Sequence, residues 1–415
     1  MRPPLRWIAP MLLGAVASAQ DSQPDVERRQ EELHKELKAL QGDLGDRLKG
    51  IEEKIEELRS DYEEEIAGLR KQAESGGWGS TKFLIDGDAF AGFTLREGGH
   101  STFFPAFNPH FYWKVNDQIL FGTGVELEVH DYNTDVNLEW AMIHVALADS
   151  VTVGIGKFLM PFGYFQENIH SAYINKLPDE PLAFFERSPS TLAPLHDIGV
   201  QVRGPIPWGS TRFNYVVYVA NGPELLTGED DIKEAGTLTF ENFDDSNTNK
   251  ALGGRLGFQP IPRIEVGYSF MQARVGAEGT PFEHVDAILQ DVDANYVGTV
   301  ESLKGNLDLR AEWVWTAVDR ATYGAPGSTV SFANRRSGGY LQAAYRPTKV
   351  ESPVLSRLEV VGRFDRLDQP DGGPLRDETR WTGGLNYWFG PSSVFKVAVQ
   401  HAVDEGNALL MQFAI

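Results

Sequence analysis

The sequence predicts an all-β transmembrane antiparallel β-barrel of about 16 strands, preceded by an α-helical coiled-coil segment. Three observations predict it. From residue 76 onward, segment after segment alternates apolar with polar or small residues at period two. The joints between these segments fall into two interleaved classes, short and variable. After the N-terminus no run of about eighteen apolar residues recurs, so a chain that stays in a membrane must cross it as strands. The composition agrees. With 42 glycines and 11% aromatics against an apolar fraction of only 41%, the 415 residues suit turns and aromatic-rich faces rather than a bundle of membrane helices.

Charge and redox chemistry exclude whole classes of partner. A formal net charge of −21 disfavours nucleic acid. The absence of cysteine removes disulfides, thiolate metal sites and cysteine nucleophiles together.

Residues 1–19 read as a secretory signal. Arg2 and Arg6 precede an apolar stretch from Trp7 to Val16, too short to span a bilayer, and Ala17-Ser18-Ala19 offers small residues for cleavage before Gln20. Residues 20–75 read as a periplasmic coiled-coil helix. Leu33, Leu37, Leu40, Leu44, Leu48, Ile51, Ile55, Leu58, Tyr62, Ile66 and Leu69 form its seam, ten intervals covering 36 residues. So narrow an apolar stripe calls for partner helices, although Gly42, Gly45, Gly50 and Gly68 each weaken the helix by about 1 kcal/mol. Gly76-Gly77-Trp78-Gly79-Ser80 marks the boundary with the barrel, residues 76–415.

Sixteen strands are expected to begin near Lys82, Asn108, Leu120, Val136, Val151, Ile198, Thr211, Lys250, Arg263, Asn295, Leu307, Gly338, Arg357, Thr379, Ser393 and Asn407. Short joints follow the even strands, as at Asn116-Asp117-Gln118, Asp149-Ser150 and Gly390-Pro391-Ser392. The long joints, Pro161 to Asp197, Pro223 to Asn249 and Val275 to Asp291, follow odd ones. Such an arrangement puts turns at one end of an up-and-down barrel and loops at the other.

Along single strands the faces are distinct. Leu307, Leu309, Ala311, Trp313 and Trp315 alternate with Asp308, Arg310 and Glu312. A soluble sandwich has the same pattern, but sixteen strands exceed what one sandwich uses. Aromatics also cluster at strand ends, in Phe111-Tyr112-Trp113 and Tyr387-Trp388-Phe389, where interfacial girdles lie in membrane barrels. The last strand sets Leu409, Met411, Phe413 and Ile415 on one face.

Three stretches carry a family likeness. Gly156-Lys157-Phe158-Leu159-Met160-Pro161-Phe162-Gly163, with Asn168, His170, Tyr173 to Pro178 and Pro181-Leu182 after it, resembles a strand and loop of phosphate-selective porin O/P-type outer-membrane proteins. Ile198 to Gly204 and Asn214-Tyr215 to Asn221-Gly222 are similar to that family's next two strands. The resemblance spans about 70 residues closely. It implies a sixteen-stranded trimeric diffusion channel of the Gram-negative outer membrane, narrowed by an inward-folded third loop, with a coiled coil ahead of the barrel. Ile415 stands where an aromatic is usual, and the family's excess of basic lumen residues is missing.

That second departure is countable. The signal holds two of the 38 basic residues, and the helix holds ten, with seventeen of the 59 acidic ones. The barrel therefore keeps 26 basic and 42 acidic residues, a net of −16. Period-two assignment turns Arg203, Arg255, Arg310, Arg346, Arg363 and Lys396 inward, along with Glu126, Glu128, Glu139, Glu265, Asp308, Glu312, Glu359 and Asp365. Mixed walls select weakly. Glu167, Lys176, Asp179, Glu186 and Arg187 lie in the third loop and complete the pore-lining and constriction candidates.

The expected function is passive diffusion of small hydrophilic or anionic solutes by an outer-membrane porin, as a homotrimer amid lipid and lipopolysaccharide, with the helix within reach of peptidoglycan. No cofactor, metal or enzymatic activity is expected. A tether that joins an anchoring barrel to the cell wall is one alternative. An outer-membrane hydrolase is another, with His196-Asp197 and Ser188, Ser190 or Ser210 as its triad, although no Gly-x-Ser-x-Gly elbow is present. Gly154-Ile155-Gly156-Lys157 lacks the rest of a phosphate loop, and the nine histidines show no metal-ligand spacing. The acidic runs Glu229-Asp230-Asp231 and Asp244-Asp245 read as solvated loops, with a divalent-cation site as the other reading.

Overall fold

The computed structural model describes residues 82–415 apart from 131–132, 186–190, 210, 241–242 and 404–405, together with scattered residues between 31 and 54. The chain divides into two compact units, Met1–Gly79 and Ser80–Ile415. In the first, the described residues are helical, as at Leu37, Lys38 and Ala39. The signal, its cleavage point, the Gly76 to Ser80 boundary and most of the coiled-coil seam lie outside the described residues, as do Glu186 and Arg187.

The second unit is a closed antiparallel barrel of sixteen strands. In order they are β1 (Lys82–Arg96), β2 (Ser101–Lys114), β3 (Ile119–His130), β4 (Asn133–Ala148), β5 (Val151–Leu159), β6 (His196–Trp208), β7 (Thr211–Ala220), β10 (Ala251–Ile261), β11 (Ile264–Arg274), β12 (Asp286–Val300), β13 (Gly305–Val318), β14 (Arg335–Arg346), β15 (Leu358–Asp368), β16 (Glu378–Trp388), β17 (Val394–Ala402) and β18 (Gly406–Ala414). The two-residue strands β8 (Glu224–Leu225) and β9 (Leu238–Thr239) pair separately within the loop between β7 and β10. Closure comes from β1 against β18, in register from Phe90 opposite Ala414 to Arg96 opposite Ala408. Ile415 and Ala89 exchange two backbone hydrogen bonds at 3.0 and 3.1 Å. Every strand is then paired on both sides, which removes the edges that lipid cannot satisfy.

The sixteen expected strands are present, with two corrections to their limits. β2 begins at Ser101, not near Asn108, because Pro105 sits where only β1 is paired and its missing N–H is tolerated; the β2–β3 register starts at Ala106. β12 begins at Asp286, not near Asn295. Asp291 and Asp293 make that stretch read as loop, yet they are inward wall positions alternating with outward Ile288 and Val292.

The faces are inverted relative to a soluble protein. Val399 is 60% exposed and Val360 56%, whereas Lys396 and Asp365 are 0% exposed. Outer apolar and inner charged positions alternate at period two around the wall, so the face that water would be expected to drive inward points away from the interior. The end aromatics need a correction too. Phe111, Trp113, Tyr387 and Phe389 take the outer side, but the middle ring of each triplet turns inward: Tyr112 lies 5.6 Å from Trp140, and Trp388 Nε1 donates to Glu359 at 3.1 Å.

Candidate functional site

A closed wall of strands with charged inner positions need not enclose an apolar core, yet this one does. Between β5 and β6 the chain runs from Met160 to Leu195 and carries Phe162, Phe165, Ile169, Leu177, Ala183, Phe184 and Leu192, all buried. Leu177 packs on Ala344, Val361, Ala398 and Leu410, and the others on Met271, Leu289, Val314, Tyr340 and other inward wall residues. Phe165 and Phe184 lie 5.5 Å apart, and both meet Tyr340 edge-on at 6.1 and 5.9 Å. The third loop is thus folded into the barrel against the β10–β18 side. The loops beyond β7, β11 and β13 add to the same core through Leu225, Val275 and Tyr323.

Directed bonds fix the loop's height. Glu312 accepts from the Tyr164 N–H at 2.8 Å and the Phe165 N–H at 3.1 Å, and Gly163 N–H donates to Ser269 Oγ at 2.9 Å. Gly163 has φ +74°, and a Cβ there would stand 1.8 Å from Glu312 Oε1, so only glycine lets the loop reach that carboxylate. Farther on, Arg363 grips Asp179 at 2.9 Å and the Asp179 and Glu180 carbonyls, while bonding Asp365 at 3.0 Å. Leu182 N–H donates to Asp365 at 3.2 Å. Lys396 donates to the Ala172 carbonyl and, at 2.8 Å, to Gln412.

The candidate residues are therefore distributed as follows. Lys176 pairs with Glu359 at 3.0 Å, and Arg203 with Glu167 at 3.1 Å. Arg255 bridges Glu265 at 3.0 Å and Asp293 at 2.8 Å, while Arg310 takes Asp308 through two bonds at 2.6 and 2.8 Å. Arg346 donates to the Ser356 carbonyl at 2.9 Å and lies over Trp388. Each of these cations, with Arg363 and Lys396, already has protein partners, and four of them hold the loop itself. Sequence reasoning missed Arg380, which bonds Asp179 at 3.2 Å and Asp365 at 3.4 Å. Its inward parity with Thr382 and Asn386 on β16 was the signal available.

The loop leaves two spaces open: a cavity of about 420 Å³ between it and the β1–β4 wall, and a second of about 590 Å³ beside β5–β7, β10 and β11, toward the short turns near Arg212 and Gln259. Glu167 and Asn168 line both, which places the single-turn helix Phe165–Asn168 between them. Around the first cavity the described lining carries Asp88, Glu126, Glu128, Glu139, Glu167, Asp179 and Glu180 against one arginine, Arg96, and two histidines.

His170 ties the loop across this passage. It is 3.4 Å from Glu139 on β4 and 3.2 Å from Glu180 in the loop. Burial opposes its charge, but the bonds to these two carboxylates outweigh burial and raise its pKa well above the ordinary 6.5. A folded value above the unfolded one means that the link is at full strength below about pH 6.5 and is lost as pH rises through the raised value. The folded protein is expected to lose stability in alkaline buffer as this link is lost, and His170→Gln should remove that dependence; thermal unfolding of both proteins across the range checks it.

The hydrolase alternative gains no support among the described residues. Asp197 accepts from the Ile198 N–H at 2.7 Å and the Gly222 N–H at 2.8 Å, which fixes a strand start. Ser188, Ser190 and Ser210 lie outside the described residues. In the acidic runs, Asp231 accepts from the Lys233 N–H and Asp245 from the Asn247 N–H, both local turns.

No family model matches the chain, and no curated protein matches it in sequence. Solved structures do. Salmonella typhi OmpF in complex with daunomycin is similar with a TM-score of 0.52 at 11% identity, over 80% of this chain and 96% of that one. An anion-selective porin from Comamonas acidovorans gives 0.49 at 12% identity, over 81% and 98%. OmpT, an outer membrane protein of Vibrio cholerae, gives 0.49 at 12% identity, over 81% and 97%. At these identities the likeness is one of fold.

Proposed function

We propose that the chain is an outer-membrane porin, a passive channel for small hydrophilic solutes in a Gram-negative bacterium. The observation that carries this is the inverted barrel, apolar outside and charged inside, with a loop that narrows the interior without filling its β1–β4 side. Lipid accepts the outer face, and the passage beside the loop supplies the path. Assembly as a homotrimer through the helix, contact with lipopolysaccharide and reach toward peptidoglycan belong to the same proposal. The resemblance to the phosphate-selective type enters it only as a likeness of the Gly156 to Gly222 region. Arginines held by carboxylates make no anion ladder, and the lining of the open passage is acidic. The preferred solutes are therefore neutral or cationic.

Reversal potential across a salt gradient tests this. The parent is expected to be weakly cation-selective, most clearly near 0.01 M salt, where the Debye length is roughly 30 Å. Arg203→Ala with Arg310→Ala should strengthen cation preference, because Glu167 and Asp308 are released. Strong anion selectivity that collapses in the double variant would show the opposite arrangement, and absence of any current would favour the tether.

A further inference from the structure

The β1–β4 wall of the passage holds a structure that simple diffusion does not require. Two aromatic rings lie over glycines of this wall, which make room for them. Trp140 covers Gly122 and Gly124, where an added Cβ would stand 2.7 and 2.3 Å from the indole. Phe104 covers Gly92 in the same way, at 2.4 Å. His110 meets Trp140 at 5.5 Å, and Phe90 meets Phe104 edge-on at 6.1 Å. On the inner face of β2, Asn108 falls between Phe104 and His110, and the β1–β2 register sets Asp88 opposite Asn108. The Asn108 amide donates to the Asp88 carboxylate at 2.9 Å. A carboxylate thus lies between two aromatic platforms.

The polar atoms of the same cavity point to a ligand. Gln166 is 1% exposed, lines the cavity and, among the described residues, finds no hydrogen-bond partner for either end of its amide. Asn108 Oδ1 and Asp179 Oδ1, on the same lining, also lack a partner among the described residues. Buried side-chain polar atoms are normally bonded, so these four mark where a ligand's polar groups fit. Three of the four are acceptor oxygens. Acceptors beside a carboxylate and aromatic faces select an N–H-rich cation with a flat or apolar body.

We propose that this cavity binds protonated organic amines, the ammonium toward Asp88, Asn108, Asp179 and Gln166 and the organic body against Trp140 or Phe104. The proposal deepens the channel reading and rests on it for access to the site, but binding itself is measurable without conduction. A volume of about 420 Å³ accommodates a one-ring amine.

Benzylamine is the probe, with benzyl alcohol and benzoate as its neutral and anionic counterparts. The full-length protein is titrated calorimetrically in detergent at low salt, and each probe is added during bilayer recording of potassium current. Benzylamine is expected to bind and to block reversibly, about tenfold more tightly than benzyl alcohol, with benzoate weaker still. The near-isosteric Asp88→Asn should lower benzylamine affinity about tenfold, and Trp140→Leu should lower it severalfold. Equal binding of benzylamine and benzyl alcohol would overturn the proposal, as would parental affinity in both variants. A protein that conducts but gives neither heat nor block loses the site and keeps the channel. One that passes no current yet binds with the expected variant pattern keeps the site and loses the channel.

Discussion

Deleting Asn168 to Pro189 is expected to raise single-channel conductance roughly twofold or more and to flatten ion selectivity. The segment carries Leu177, Ala183 and Phe184, buried loop side chains, and Asp179, the loop carboxylate that Arg363 and Arg380 grip. With them gone, the inner wall of β14–β18 faces water instead of loop, and the passage widens from a channel beside β1–β4 toward the full bore. The wall itself should persist, since its strands are held by ladders on both sides, with β1 and β18 closing the ring. Current–voltage recordings of parent and deletion in the same bilayer give the comparison. A deletion protein that folds and conducts as the parent does would place the constriction elsewhere.

The barrel was legible because period-two alternation and joint length are local properties of the chain. β2 and β12 were misread at their starts for equally local reasons: Pro105 and the carboxylates at Asp291 and Asp293 look like loop until a neighbouring strand supplies the context. The wall charges had their parity in the sequence, but not their partners. Arg255 meets Asp293 across 38 residues and Arg363 meets Asp179 across 184, separations that strand pairing and loop folding bridge. The third loop carries a further signal in its composition. Met160, Phe162, Phe165, Leu177, Phe184 and Leu192 make it too apolar for a surface excursion, and apolar loop residues have to find a core. Its charges drew attention as constriction candidates, whereas Lys176 and Asp179 mainly fasten it to the wall. Trp140 over Gly122 and Gly124 lay beyond sequence reading, because strand pairing alone decides which ring lies on which glycine.

Arg363→Met should cost the folded barrel about 3 kcal/mol, the low end of what breaking a buried ion pair costs, since the lumen supplies some water. The guanidinium is fully buried and is the shared donor for Asp365, the Asp179 carboxylate and two loop carbonyls. Its removal leaves Asp365, itself 0% exposed, with Arg380 at 3.4 Å as its remaining ion pair, while Asp179 keeps Arg380 and Gln400. The expected results are a lower unfolding temperature and frequent current steps to a wider state as the Asp179 to Leu182 turn detaches. Adding Asp365→Leu should recover part of the thermal loss, because it removes the poorly compensated charge while taking an acceptor from the Leu182 N–H and Arg380, but it should not restore a quiet current, because the loop carbonyls still lack their donor. Lys349→Met makes the control. Its pair with Glu301 is a similar ion pair at the surface, with side chains 48% and 78% exposed, and its loss should change little. Thermal unfolding and single-channel traces of the four proteins decide the matter: if Arg363→Met melts and conducts as Lys349→Met does, the arginine is not what holds the loop.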